Sequence, residues 1–221
     1  MSFVVQRFHP RIRPGLSLGS VSSKVAVHSR QGQWDSACAL HCAAMALQIG
    51  GFIADSSRIV KSRRRIEATL WRNAVPYFFR GTTFRELAAL IAELDCGVRT
   101  SVIERGSHRE VIPFIERELA RKRLVICSFR AIGEVDCHAV LIAGAEGVQK
   151  ARRFDAHTFL VLDPAEAPPG SMATCNARLH YAGGATGQRR RYARYVTASA
   201  TLSVVLNGAV SIDAGSAKKP P

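Results

Sequence analysis

Three residues, far apart in the chain, have the types that thiol-dependent acyl transfer needs. Cys38 stands where a helix should begin, in Asp35-Ser36-Ala37-Cys38-Ala39-Leu40-His41-Cys42-Ala43-Ala44-Met45-Ala46-Leu47, which Gly50-Gly51 closes. A thiol in the first turn of a helix faces unpaired backbone N–H groups and the positive end of the macrodipole, and both favour the anion. A nucleophilic cysteine also needs a base, and the base needs a group to orient it. His138 opens the apolar run Cys137-His138-Ala139-Val140-Leu141-Ile142-Ala143-Gly144. One run later, Phe159-Leu160-Val161-Leu162 ends in Asp163-Pro164. If the two runs are neighbouring strands, His138 and Asp163 both project toward the helix start that carries Cys38.

Each residue has a plainer account. Cys38 is also a small apolar residue in an Ala/Cys-rich helix, His138 a satisfied strand histidine, and Asp163 a turn residue before Pro164. All three in this order is the less ordinary event. The six cysteines (Cys38, Cys42, Cys96, Cys127, Cys137 and Cys175) include no C-x-x-C pair, so no structural zinc site is signalled. His41 and Cys38 stand at helical spacing, but no second cluster completes a ligand set, and no metal is expected. There is no G-x-x-x-x-G-K-[ST] phosphate loop, and no cofactor is called for.

The elements that must position these residues follow from pattern. Asp35 or Ser36 can cap the Cys38 helix, whose small apolar interior marks it as buried on most of its surface. Residues 56–73 read as a basic amphipathic helix. Thr83-Phe84-Arg85-Glu86 is a capping box opening a helix to 94, and Ser107-His108-Arg109-Glu110 opens another to about 121, through Pro113. Residues 97–103 read as a strand. After 123 the period changes: 124–129, 138–143 and 158–162 are short apolar runs that read as buried strands, and 191–197 and 202–212 extend the sheet. Helices first and an antiparallel sheet after is an α+β order.

Charge is the unusual quantity. The 221 residues carry 31 Lys+Arg against 17 Asp+Glu, a formal net charge of +14. That excess favours an anionic partner through a basic surface, either nucleic acid or an acidic protein. Thr186-Gly187-Gln188-Arg189-Arg190-Arg191-Tyr192-Ala193-Arg194-Tyr195 has the composition to stack on and neutralise a nucleic-acid strand, but it reads better as an exposed edge strand guarded by charge. No apolar run has the roughly 18 residues of a membrane helix, and the N-terminal stretch carries arginines and prolines where a secretory signal is apolar. No transmembrane segment is expected, and the expected location is cytoplasmic.

The segment Cys38-Ala39-Leu40-His41-Cys42-Ala43-Ala44-Met45 resembles the C-G-P-A-C-L-A-M helix of papain-like cysteine peptidases that process bacteriocin leaders at double-glycine sites. A glutamine lies just upstream in that family, and Gln33 or Gln31 stands here. The order that follows also resembles the family: a helix and strand, a second helix and strand, a G-H-apolar strand like 137–144, and a strand ending in D-P like Asp163-Pro164. The resemblance covers about residues 31–165. It implies Cys38 as nucleophile, His138 as base and then acid, and Asp163 as the residue that fixes the imidazole tautomer. Gln33 (alternatively Gln31) would form the oxyanion hole with the Cys38 N–H. Ala39 departs from the family's glycine, Gln33 and Gln31 lie five and seven residues before Cys38 where six is the family spacing, and His41 replaces a small residue.

The expectation is a papain-like α+β fold, an N-terminal helical lobe packed on an antiparallel sheet. Its parts would be an N-terminal arm (1–30), a peptidase domain (31–212) and a flexible tail (213–221). Its function would be that of a freestanding bacterial thiol peptidase acting on a peptide leader or a specific protein. Deamidation and transpeptidation use the same thioacyl step. The rival is a basic, non-catalytic binding module holding nucleic acid or an acidic protein.

Overall fold

Leu124, Val125, Ile126 and Cys127 are consecutive and all fully buried, as the residues of a strand covered on both faces are. The computed structural model describes residues 2–23, 25–32, 35–183 and 189–215. Its main strands are β1 (Ser2–Phe8), β4 (Arg99–Glu104), β5 (Leu124–Ala131), β6 (His138–Lys150), β7 (Arg153–Leu162), β8 (Ala177–Ala182), β9 (Arg189–Val196) and β10 (Thr201–Asp213). A small hairpin, β2 (Ile12–Arg13) with β3 (Gly19–Ser20), stands apart. The helices are α1 (Cys38–Gly50), α2 (Arg65–Ala74), α3 (Phe84–Ala92) and α4 (His108–Ala120).

Strands β5, β6, β7, β8, β9 and β10 pair antiparallel in that order, and β10 pairs back onto β5. The sheet therefore closes on itself. Residues alternate between the two sides of its wall. Val125, Cys127, Phe129, Val140, Ile142, Phe159, Val161, Leu179, Tyr181 and Tyr195 fill the inside together with Val111, Ile112, Phe114 and Ile115 of α4. Leu124, Ile126, Ala139, Leu141, Ala143 and Leu162 face outward and are covered by α1 and α3. A register shift between Leu206 and Gly208 reverses the alternation of β10, so Val204 and Leu206 point in while Val210 and Ile212 point toward the helices.

The long strands each serve two neighbours on one side. β6 pairs with β5 through 138–142 and with β1 through 144–150, while β10 is shared between β9 and β4. A side chain at Gly144 would collide with the Arg7 carbonyl, so glycine there is what lets β1 lie close against β6.

The expected papain-like fold, a helical lobe packed on an antiparallel sheet, is corrected by this architecture. Of the described residues 26% are helical and 36% lie in strands, and the strands form a closed antiparallel barrel. The physical cause is β8, whose Arg178 and His180 interrupt its apolar pattern, and which bridges β7 to β9. Two smaller expectations change with it. β9 lies between β8 and β10 rather than at an edge. The single helix expected over 56–73 is a short 3-10 turn (Ser56–Lys61) followed by α2. Both capping boxes form, Thr83 with Glu86 and Ser107 with Glu110, although Pro113 lies a turn deeper in α4 than the first-turn position where proline fits best. Among the described residues no helix is long and apolar enough to cross a membrane. The tail beyond 215 and residues 184–188 lie outside the described residues.

Candidate active site

Helix α1 sets the position of Cys38. Its interior is buried nearly all round, and it ends at Gly51, whose positive φ of 82° completes a cap through Gly51 N–H to the Gln48 carbonyl and Phe52 N–H to that of Leu47. Buried Gln48 donates to the carbonyls of Val25 and Ala26 and accepts from Ser56 N–H, which ties the N-terminal segment along the helix. At the other end Asp35 Oδ1 accepts from Ala37 N–H (3.1 Å) and Oδ2 from Gly32 N–H (2.8 Å), shaping the loop that enters the helix. Cys38 is the first helical residue, so its N–H has no carbonyl within the helix to bond.

One turn of α1 is docked on one residue of β6. Ala139 N–H donates to Cys38 Sγ (3.4 Å), and Cys42 Sγ–H donates to the Ala139 carbonyl (3.5 Å). The small side chain of Ala139, facing α1, allows that approach. It also fixes Cys38 beside the preceding residue, His138, close enough for the thiol to help raise the imidazole pKa. His138 Nε2 lies 2.7 Å from Asp163 Oδ1, which leaves Nδ1 for the sulfur. Leu141 pairs with Leu162 across β6 and β7, so the start of one strand and the end of the other meet at the same rim of the barrel.

Asp163 is held from every side. Its Oδ1 accepts from Ala165 N–H (2.8 Å) and its Oδ2 from the Tyr195 hydroxyl, which reaches it from inside the barrel. Asn176 brackets its backbone, accepting from Asp163 N–H (2.7 Å) and donating to the Asp163 carbonyl (2.9 Å). Phe129 packs against both rings of the network, 5.6 Å from His138 and 4.5 Å from Tyr195. The Asp163 side chain is 3% exposed and that of His138 28%, so the carboxylate is sealed while the imidazole keeps one edge open. That edge faces an open cleft lined by Arg30, Gln31, Gly32, Asp35, His138 and Ala165.

Burial by itself would lower the His138 pKa, but hydrogen bonds and charge interactions with Asp163 and Cys38 outweigh it and raise it to about 10. Burial by itself would raise the pKa of Asp163; the His138 hydrogen bond and charge, with the Tyr195 and Ala165 donors, lower it instead. The Tyr195 hydroxyl is pushed up by burial and by the Asp163 charge, so it stays a donor. Burial also raises the thiols of Cys42 and, to about 12, Cys127. Those two are core residues.

Of the residues singled out in the sequence, the structure brings Cys38, His138 and Asp163 together. Gln33 lies outside the described residues. Gln31 lines the cleft, but its side-chain amide donates to the Asp35 carbonyl (2.7 Å). His41 faces away from His138, with Nδ1 on the Ser29 hydroxyl (2.7 Å) and Nε2 at 3.9 Å from Asp35 Oδ2. Among the described residues no cluster of His, Cys, Asp or Glu could hold a metal ion. Tyr195 and Asn176 were missed. The inward alternation of Ala193 and Tyr195 marks a buried face, but nothing local says that this face looks onto Asp163.

No protein-family model matches the chain. No curated protein matches it by sequence either.

Proposed function

We propose that the protein is a cysteine peptidase, hydrolysing amide bonds through a thioacyl-enzyme formed on Cys38. The observation that carries this reading is the His138–Asp163 hydrogen bond, with Asp163 buried and multiply restrained, set directly beside Cys38 at the start of α1. His138 takes the thiol proton, and the sulfur is then the nucleophile. Cys38 Sγ attacks the carbonyl carbon, and the tetrahedral oxyanion forms near the Cys38 N–H at the start of α1. As the C–N bond breaks, His138 Nδ1 gives its proton to the leaving amine. The neutral imidazole then takes a proton from water, whose oxygen displaces the sulfur and releases the acid. Asp163 holds the ring so that Nδ1 faces the sulfur throughout, and Tyr195 holds Asp163; both are positioning residues.

The open edge of His138 leaves the cleft side of the imidazole accessible to the water that hydrolysis of the thioester needs. The resemblance of the Cys38 helix to leader-processing peptidases makes peptides with a double-glycine site the first substrates to try. The test is iodoacetamide labelling at pH 6 with peptide mapping, in a Cys137→Ser background because Cys137 is exposed. Cys38 should label fastest, and the rate should fall about tenfold or more with His138→Ala. Equal labelling of Cys38 with and without His138 would refute the reading.

A further inference from the structure

The β6–β7 hairpin has a second end, and it holds a groove that the proposed chemistry does not use. The groove encloses about 1170 Å³ and is bordered by the C-terminal part of β1, the end of α4, and the hairpin itself. Its Lys/Arg residues are Arg7, Lys122, Arg123, Lys150, Arg152 and Arg153, against two carboxylates, Glu116 and Asp155. Arg123 is engaged by Glu118 (2.7 Å) and Asp213 (2.9 Å), and Arg153 by Asp155 (2.6 Å). Arg7, Lys122, Lys150 and Arg152 are exposed and have no carboxylate partner among the described residues. Buried His9 adds no charge, because desolvation lowers its pKa to about 4.

We infer that this groove binds an acidic peptide segment, laid in extended form beside β1. Charge selects an anionic occupant, and the backbone selects a peptide. β1 pairs with β6 on one side, and its other edge has no strand partner among the described residues. A strand edge offers N–H and C=O groups in the spacing that a second peptide backbone matches. Val4 on that strand is 67% exposed and stands opposite Val148, which lines the groove, so the pair offers apolar surface on the groove's face of the sheet. A nucleic-acid strand would instead need open aromatic faces for its bases. Two of the groove's rings are taken: Arg7 lies over the Phe154 ring at 4.2 Å, and Phe159 is buried against Tyr181. Gly144 and Lys150, which bound the groove, are six and twelve residues from His138 along β6, or ~20–40 Å at the rise of an extended strand. The site thus lies apart from Cys38 and stands whether or not Cys38 is a nucleophile.

The test is fluorescence anisotropy on the full chain carrying Cys38→Ala, which prevents turnover. The probes are a labelled twelve-residue Glu/Asp-rich peptide, the same peptide N-methylated at alternate residues, and a single-stranded oligonucleotide of equal charge. The acidic peptide should bind with an affinity that falls as salt rises. Lys150→Glu with Arg152→Glu should weaken it at least tenfold, and N-methylation should weaken it by a similar factor. Both reversed side chains are exposed, and an unchanged melting temperature verifies that the double variant folds. Tighter binding of the oligonucleotide, equal binding of the methylated peptide, or indifference to the charge reversal would each overturn the inference.

Discussion

The two ends of the β6–β7 hairpin treat charge in opposite ways. At the rim beneath α1, His138 and Asp163 are a single ion pair at 2.7 Å, with the carboxylate sealed from water and met by two further donors, the Ala165 N–H and the Tyr195 hydroxyl, while Asn176 brackets its backbone. At the far end, cations crowd an open groove with few carboxylates to meet them. The first arrangement fixes one geometry at the cost of desolvation; the second leaves charge available to an incoming ligand. One pair of strands can hold both because the sheet wall is buried on both faces only near the helix layer, and its other end is open to solvent.

The sharpest way to break the contrast is at the rim. Cys38→Ala or His138→Ala should lower peptide turnover about a thousandfold or more, measured with any substrate the wild type cleaves. Asp163→Ala removes the partner of a largely buried cation and should cost about 3 kcal/mol of folding stability, read by denaturant titration at pH 7. Tyr195→Phe deletes one hydrogen bond to a charged oxygen and should cost about 1–2 kcal/mol. It should also move the acid limb of the stability profile to higher pH, because the Tyr195 donor is one of the groups holding Asp163 low.

The pH dependence has two limbs. The His138 contribution is fully present below its unfolded pKa of ~6.5 and is lost as pH rises toward about 10. The Asp163 contribution is present above ~3.8 and is lost as pH falls through its lowered folded value. Wild type should therefore lose stability between pH 7 and 10 relative to His138→Gln, in parallel denaturant titrations. The smallest effect belongs to the far end. Lys150→Glu with Arg152→Glu should change stability by less than about 0.5 kcal/mol, because neither side chain has a carboxylate partner to lose. A larger loss there would erase the distinction between the two ends.

Much of the local structure was legible in the sequence. The Cys38 helix could be read from its small apolar interior and its glycine stop, and α3 and α4 from their capping boxes. The buried strands β5, β6 and β7 could be read from unbroken apolar runs. Such runs report burial on both faces, yet a sheet layered between helices and the wall of a filled barrel produce the same run. That is why the fold was misread. The segment that distinguishes them, β8, alternates apolar residues with Arg178 and His180 and lies between stretches of weak pattern.

For the candidate site, residue type and order sufficed to single out Cys38, His138 and Asp163, because thiol chemistry admits few side chains and each stood at the edge of a regular element. Sequence by itself also determined the +14 charge and its excess of arginine. It could not say which charges would be paired, because Arg153 meets Asp155 two residues away while Arg99 and Arg123 meet Asp213 across the fold. Only the tertiary structure turned Tyr195 from a residue in a basic stretch into a donor to Asp163. Only the closure of the barrel gave β9 an inside for it to point into.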